Sequence, residues 1–519
     1  MAESTLTHED KKSGFIRIME RVGHRIPDPV IIFMFLFVLT AIVSLFMGGY
    51  TFQSVGSDGS VVEYSINNML SAEKIRWIFD NAILNNWLAY GNGVLGIILL
   101  SVLGVGIAEQ SGLLDALIKK IAVRINERWL PTLLVFLGIM SSIATDAGYL
   151  ILVPLAGMLY AGIGKNPLIG MVAAFAGVSA GFSANLIPAT PIDVVVGVNA
   201  ELFAKAQNVP FVNAMGEQLN PITMNYFFIV TSVFVLGAVG AFVTSRFVAP
   251  RLERQSWQMP KELDTKNFTV NPKEERALKF AVLGLMVSLA FVTWLAWGPL
   301  ASYTSEAGKT VTPFLNNVVL MIVIIFAITG VFYGVSVGRF KSLTDVVMAM
   351  SKQMNTTGYI LVLTFFSYQF LALLGESGIG TYVTYLGATF LQFLGLQSSP
   401  LLLLIAFILT TAMINLFVGG LTSKWMLLGP IFIPMLYQVN PAMTPDLITA
   451  AFRVADSSTN IITPMMSYAG VVLAFMRKYK PEMSLGDQIG IMIPYSISFI
   501  VTWTALLVGF VVLNIPLGF

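Results

Sequence analysis

Apolar runs of membrane-spanning length recur along the chain between short polar segments. The first, about residues 29–49, follows a stretch (13–27) in which Phe15, Ile16, Ile18 and Met19 mix with Arg17, Arg21 and Arg25. That mixture predicts an amphipathic lead-in at the membrane surface, ended by Pro27 and Pro29. Further runs at about 88–108, 225–248, 278–299, 314–338, 356–374 and 488–515 lie near the roughly 20 residues a helix needs to cross a bilayer. Between 113 and 128, Leu113, Leu114, Leu117, Ile118, Ile121 and Ile125 recur at helical spacing among Lys119, Lys120, Arg124 and Arg128. This stretch predicts an interfacial helix lying in the headgroup plane.

Four other apolar stretches are interrupted. Residues 129–164 carry Ser141, Ser142, Thr145, Asp146 and Gly148 at their centre, with Pro154 following. Residues 399–437 carry Asn415, Gly419, Gly420, Thr422, Ser423, Lys424 and Trp425, then Pro430 and Pro434. In the first of these each arm is too short for a comfortable crossing, and the second repeats the pattern, so both predict re-entrant hairpins. The stretch 167–190 is broken by Ser179, Gly181, Ser183, Asn185, Pro188 and Thr190, with Pro191 and Asp193 after them. The segment 453–467 reads Arg453-Val-Ala-Asp456-Ser-Ser-Thr-Asn460-Ile-Ile-Thr463-Pro464-Met-Met-Ser467, between the apolar stretches 442–452 and 468–476. Ionisable groups at membrane depth cost about 2.5–3.5 kcal/mol each on insertion scales. Proline breaks the helical ladder, and irregular backbone at that depth survives only where protein or a water-filled cavity satisfies it. The segment therefore reads as a binding site inside a transporter; the alternative is a solvated helix end among the headgroups.

Charge sets the topology. The basic residues before the first run place the N-terminus in the cytoplasm by the positive-inside rule. The connector 250–276 carries Arg251, Arg254, Lys261, Lys266, Lys273 and Arg276, the strongest inside signal, while no Lys or Arg occurs from 353 to 423. A loop at 50–80 and another at 194–223, whose only cation is Lys205, are expected outside. The count is nine spans and two hairpins: an all-α polytopic protein with a tail at 1–27 and halves at 28–249 and 277–519 around the connector. Ala108-Glu-Gln-Ser-Gly-Leu113 answers Gly375-Glu-Ser-Gly-Ile379, Tyr149 with Pro154 answers Trp425 with Pro430, and Ser183-Ala-Asn185-Leu-Ile answers Ser458-Thr-Asn460-Ile-Ile. The order and spacing agree, and the hairpins enter from opposite sides. Two inverted repeats with broken helices are the architecture of secondary transporters, with the site at the midplane.

Composition narrows the chemistry. The chain is 56% hydrophobic and 11% charged, against about 25% charged in soluble domains. It has no cysteine, and its two histidines, His8 and His24, precede the first run, which excludes thiolate and histidine chemistry inside the membrane. A Gly-rich phosphate loop with a lysine is absent, so ATP drive and a nucleotide cofactor are not expected. No basic patch with interleaved aromatics suggests nucleic acid. The polar N-terminus, without a short apolar core and cleavage site, reads as a retained tail and not a signal peptide.

Within this frame Arg453 is suited to anchor an acidic substrate through its planar fork. It lies three residues from Asp456, on one helical face, so an internal Arg453–Asp456 ion pair is the alternative. The turns at 183–185 and 457–460 offer Asn185 and Asn460 as hydrogen-bonding groups. Trp425, near Thr422 and Ser423, would stack on a ring or simply pack. Asp146, Asp193 and Asp456 are placed to carry a coupling proton or hold sodium, with Thr145 and Asn415 beside the hairpin tips; Asp193 would alternatively sit solvated at an outer mouth. Glu109 and Glu376 read as surface helix caps. A passive anion channel and an intramembrane hydrolase with paired aspartates are the rival classes.

The strings Asn415-Leu-Phe-Val-Gly-Gly-Leu-Thr-Ser-Lys-Trp425, Gly429-Pro-Ile-Phe-Ile-Pro-Met-Leu436 and 453–468 resemble the aminobenzoyl-glutamate transporter family. Gly104-Val-Gly-Ile-Ala-Glu-Gln-Ser-Gly-Leu113 and Ala176-Gly-Val-Ser-Ala-Gly-Phe-Ser-Ala-Asn-Leu186 look like its first-half motifs. The resemblance implies an inner-membrane homodimer, each subunit with its own pathway for p-aminobenzoyl-glutamate or related compounds. Some members are implicated in export of p-aminobenzoate and sulfonamides. Asp193, Trp425, Pro441, Arg453, Asp456 and Pro464 match the family's functional positions. The hairpin tip departs from the usual small Ser/Ala-rich form, with Lys424 adding a cation. A different anion, such as a dicarboxylate or a peptidoglycan-derived peptide, is the alternative cargo.

Overall fold

The computed structural model describes residues 27–55, 61–90, 94–122, 129–143, 148–259, 270–304, 310–311, 313–418, 420–463, 466 and 468–519. The N-terminal tail and nearly all of the lead-in, Thr145, Asp146, Gly419, Pro464 and the middle of the connector lie outside the described residues. Among those described, six helices are long and apolar enough to cross a membrane: Pro29–Met47, Tyr226–Leu252, Pro272–Trp297, Val318–Val337, Gly358–Glu376 and Leu485–Val512. Several starts are written in local chemistry. The Asp28 carboxylate accepts from the Val30 backbone N–H at 2.8 Å ahead of Pro29. Asn271 with Glu274, and Ser484 with Asp487, form reciprocal capping boxes. The other expected crossings fall on the helix Val94–Ser111 and on the two interrupted segments.

Both hairpin stretches fold as paired helical arms. The first comprises Leu130–Met140 and Val153–Gly162, the second Pro400–Asn415 and Leu421–Val439. The second arm of the latter starts at Gly420, whose φ of +80° is open to glycine and strained for other residues. The first interrupted segment is helical over Pro167–Phe175, loosens into a wider turn at Ala176–Ala180, and is irregular to Thr190. The second is the helix Pro445–Thr459, an irregular link and the helix Ala469–Arg477. Hairpin and interrupted segment touch backbone to backbone: a Cβ on Gly177 would lie 2.2 Å from the Val135 carbonyl oxygen, and one on Gly138 2.7 Å from that of Ala174. Small residues at such crossings let helices approach closely where water supplies no driving force.

Three segments differ from expectation. The loop expected at 194–223 begins instead with a buried helix, Pro191–Ala206, followed by an irregular return. Its valine-rich first turns hid it, because β-branched residues disfavour helix and only packing overrides that cost. A Cβ on Gly197 would lie 1.6 Å from the Pro221 carbonyl oxygen, so the return leans on this helix where only glycine fits. The loop 50–80 contains an antiparallel strand pair, Thr51–Val55 with Val61–Ser65, and the helix Ala72–Asn81. Residues 343–356 form a further amphipathic helix, Leu343–Thr356, begun by a Ser342–Asp345 capping box.

A continuous apolar core joins the hairpin arms, both interrupted segments and the helices Pro191–Ala206, Tyr226–Val243 and Leu485–Val512. Pro272–Trp297, by contrast, exposes Val282, Met286, Val287, Trp294 and Trp297 along one side. The polar residues singled out from the sequence lie mostly in the joined core.

Candidate functional site

Every residue of the helix Pro445–Thr459 is buried. From it, Arg453 Nη1 donates to Asp193 Oδ1 at 2.7 Å, both side chains 3% exposed. Arg453 Nη1 also donates to the Ser183 carbonyl at 3.5 Å, and the Ser457 hydroxyl donates to Ser183 Oγ at 2.7 Å. The two interrupted segments therefore meet inside the protein around one guanidinium. Arg453 Nε is buried and has no hydrogen-bond partner among the described residues.

Asp193 serves the fold and the site together. Its Oδ2 accepts from the Thr190 backbone N–H at 2.9 Å and the Thr190 hydroxyl at 2.8 Å, closing the capping box that starts Pro191–Ala206. This leaves Oδ1 for Arg453. Ala189, just before the cap, holds φ +57°, a left-handed conformation that costs a residue with a Cβ roughly 1–2 kcal/mol. The strained turn lies in the connection that carries Asp193 to the guanidinium, as strain commonly does at working sites.

The Arg453–Asp456 pair left open by the sequence does not form. Arg453 reaches across to Asp193, and Asp456 Oδ1 lies 2.5 Å from Lys424 Nζ, with side chains 0% and 1% exposed. A side chain's nearest partner in the sequence is outbid here by opposite charges brought in on other elements. Lys424 also donates to Asn415 Oδ1. Asn415 Nδ2 faces the Asp456 carbonyl at 2.6 Å, Thr459 Oγ1 at 2.8 Å and Asn460 Oδ1 at 3.0 Å. In the first half Asn185 Nδ2 donates to Ser142 Oγ at 2.9 Å. At each hairpin tip, then, an asparagine of the interrupted segment engages a polar residue of the hairpin.

The remaining candidates divide. Trp425 is fully buried, its indole N–H donating to the Val196 carbonyl at 2.9 Å and its ring 4.6 Å from that of Phe452. In this conformation the indole packs and presents no open face for stacking. Ser423 is buried and Thr422 partly so, at the start of the second arm. Pro441 is exposed in the turn ahead of Pro445–Thr459, at the far end of that helix from Asp456. Asp146, Thr145 and Pro464 fall outside the described residues. Asp193 is buried, which corrects the solvated outer-mouth alternative. Glu376 pairs with Lys74 at 2.5 Å, and Glu109 accepts from Gln353 Nε2 at 3.2 Å. Asp193 and Asp456 each hold a cation of their own, so they do not make the shared-proton dyad an aspartyl hydrolase needs.

Lys424, Ser183 and Ser142 are members of this site that residue-by-residue reading undervalued. Lys424 had a signal: it is the one cation within either arm of the second hairpin. Removing one partner of a buried ion pair costs about 3–5 kcal/mol, yet an apolar pair of equal volume is often as stable or more so. Packing alone thus gives no reason for two such pairs beside one another.

A multi-pass helical membrane protein whose hairpins and interrupted helices converge on buried charges has the organisation of a transporter. The chain belongs to the AbgT putative transporter family, whose model matches residues 14–519. It is 28% identical over 524 residues to the p-aminobenzoyl-glutamate transport protein of Escherichia coli (strain K12), covering 100% of this chain and 98% of the relative. The YdaH transporter of Alcanivorax borkumensis superposes with a TM-score of 0.84 at 32% identity, over 95% of this chain and 100% of that one. MtrF of Neisseria gonorrhoeae, described among antimetabolite efflux pumps, superposes with a TM-score of 0.84 at 33% identity, over 95% and 97%.

Proposed function

We propose that this chain is a secondary active transporter of a small aryl-amide or carboxylate anion of the p-aminobenzoyl-glutamate type, driven by a proton or sodium gradient. The observation that carries the reading is the buried Arg453, tied to Asp193 through one nitrogen, with Nε unengaged among the described residues. A substrate carboxylate competing with Asp193 would gain a charge-assisted, bidentate contact. The name of the E. coli relative, a p-aminobenzoyl-glutamate transport protein, and the description of MtrF among antimetabolite efflux pumps support a cargo of this type; p-aminobenzoate and sulfonamides are included on the family resemblance. Asn185, Asn460, Ser423 and Thr422 would supply polar contacts, and Asp456 with Asn415 the coupling ion's surroundings; Asp146 and Thr145 are assigned to the first hairpin tip on sequence grounds.

The two hairpins, each engaged with an interrupted segment, support a cycle in which a hairpin-containing unit moves across a scaffold. Exposed apolar faces such as that of Pro272–Trp297 suit contact with lipid or with a second subunit of a homodimer. Two inverted repeats, a cytoplasmic N-terminus and a bacterial inner-membrane location complete the proposal. Reconstituted vesicles with proton and sodium gradients imposed separately test it. Gradient-dependent flux of labelled p-aminobenzoyl-glutamate, competed by its unlabelled form, is expected. Stronger competition by a dicarboxylate or peptide would reassign the cargo, and single-channel currents without coupling would make the chain a passive pore.

A further inference from the structure

The tip of the second hairpin brings its own cation. Lys424 Nζ contacts Asp456 Oδ1 and Asn415 Oδ1, and the Asp456 carbonyl, Thr459 Oγ1 and Asn460 Oδ1 converge on Asn415 Nδ2. These oxygens stand at the C-terminal end of the half-helix Pro445–Thr459. Unengaged carbonyls leave partial negative charge at such an end, and in broken-helix transporters it is a place where a monovalent cation collects. Two further features mark the place as made for a cation. Asp456 Oδ2 is buried and accepts no hydrogen bond among the described residues. Asn415 Nδ2 faces three oxygens with two protons to give, so oxygen is in surplus.

We propose that Lys424 is a tethered coupling cation: its ammonium fills the metal-ion position between hairpin tip and half-helix, so that the proton, and not sodium, is the ion this chain uses. The occupancy stands on geometry alone; its role in coupling rests on the transport reading above. When the hairpin draws Lys424 away, Asp456 is left as a buried carboxylate without a counter-charge. A lone anion is costly in apolar surroundings, so the ammonium and the end of the half-helix hold each other in place. The other carboxylates on elements packed against these two helices are committed elsewhere. Asp193 holds Arg453, Glu201 holds Lys205, Glu376 holds Lys74, and Asp487 caps its own helix. Asp446 lies in the first turn of the half-helix, remote from its C-terminal end, and among the described residues the remaining titratable groups there are tyrosines.

The test is sodium-dependent stability of the purified full-length protein in detergent, comparing sodium chloride with choline chloride at equal ionic strength. The wild type is expected to melt at the same temperature in both salts. Lys424→Ala opens the position and is expected to gain about 2 °C or more in sodium, as a ligand that binds only the folded state raises its melting point. Lys424→Gln is read in the same way should the alanine variant aggregate. A sodium shift in the wild type, or a folded Lys424 variant with none, overturns the proposal. In vesicles, flux through the wild type is expected to follow a proton gradient with sodium absent, and the variant to require sodium. A sodium switch in detergent with no flux in vesicles would retire the transport reading and leave the tethered cation standing.

Discussion

Arg453 and Asp193 come from opposite halves of the chain and are buried together at 2.7 Å. Arg453→Ala leaves the carboxylate without its cation and should lower stability by about 3–5 kcal/mol, measured by thermal unfolding in detergent. The double variant Arg453→Met/Asp193→Asn keeps volume and a capping acceptor, and should recover much of that loss. Substrate binding should stay abolished in the double variant, which separates the roles of the pair. A double variant that binds as the wild type does would remove the guanidinium from the site. Arg453→Lys keeps charge but not the planar fork, and is expected to bind substrate weakly.

At the scale of elements, the irregular turn 181–190 and the helix Pro191–Ala206 act as one device. Thr190 starts the helix and holds the carboxylate that meets Arg453. Thr190→Ala should cost about 1 kcal/mol of stability, as loss of an N-cap usually does. It should also weaken substrate binding by freeing Asp193 to turn, while Thr190→Ser restores both; a stability loss with binding unchanged would confine Thr190 to capping. Much of this level is legible in the sequence. The hairpin arms, long helices and interruptions follow from run length, proline and polar breaks. Pro191–Ala206 was not legible, because its Val194-Val195-Val196 run carries no helical periodicity and its burial comes from helices distant in sequence.

At the scale of the molecule, contacts between the halves decide whether the interrupted segments work as one unit. Tyr149 of the first hairpin stacks on Tyr468 of the second interrupted segment, ring centroids 4.4 Å apart and planes 5° apart. Ser179 donates to Met466 Sδ nearby at 3.2 Å. A double-mutant cycle with Tyr149→Leu and Tyr468→Leu is expected to give a coupling of about 0.5–1.5 kcal/mol by thermal unfolding. The same single variants should slow flux more than they weaken binding if hairpin and segment travel together. Equal effects on both would count against joint movement.

The sequence alone determined that this chain lives in a membrane, where its long apolar helices and hairpin arms lie, and which polar residues are out of place in an apolar phase. Those conclusions need only local quantities: run length, charge, proline and the cost of ionised groups without water. It could not determine the pairing of those residues. Asp456 sits three residues from Arg453 in the chain, yet its counter-ion is Lys424, and Arg453 finds Asp193 instead. Spacing along a helix states which side chains can share a face, whereas the partner of a buried charge is the opposite charge that tertiary packing carries within reach.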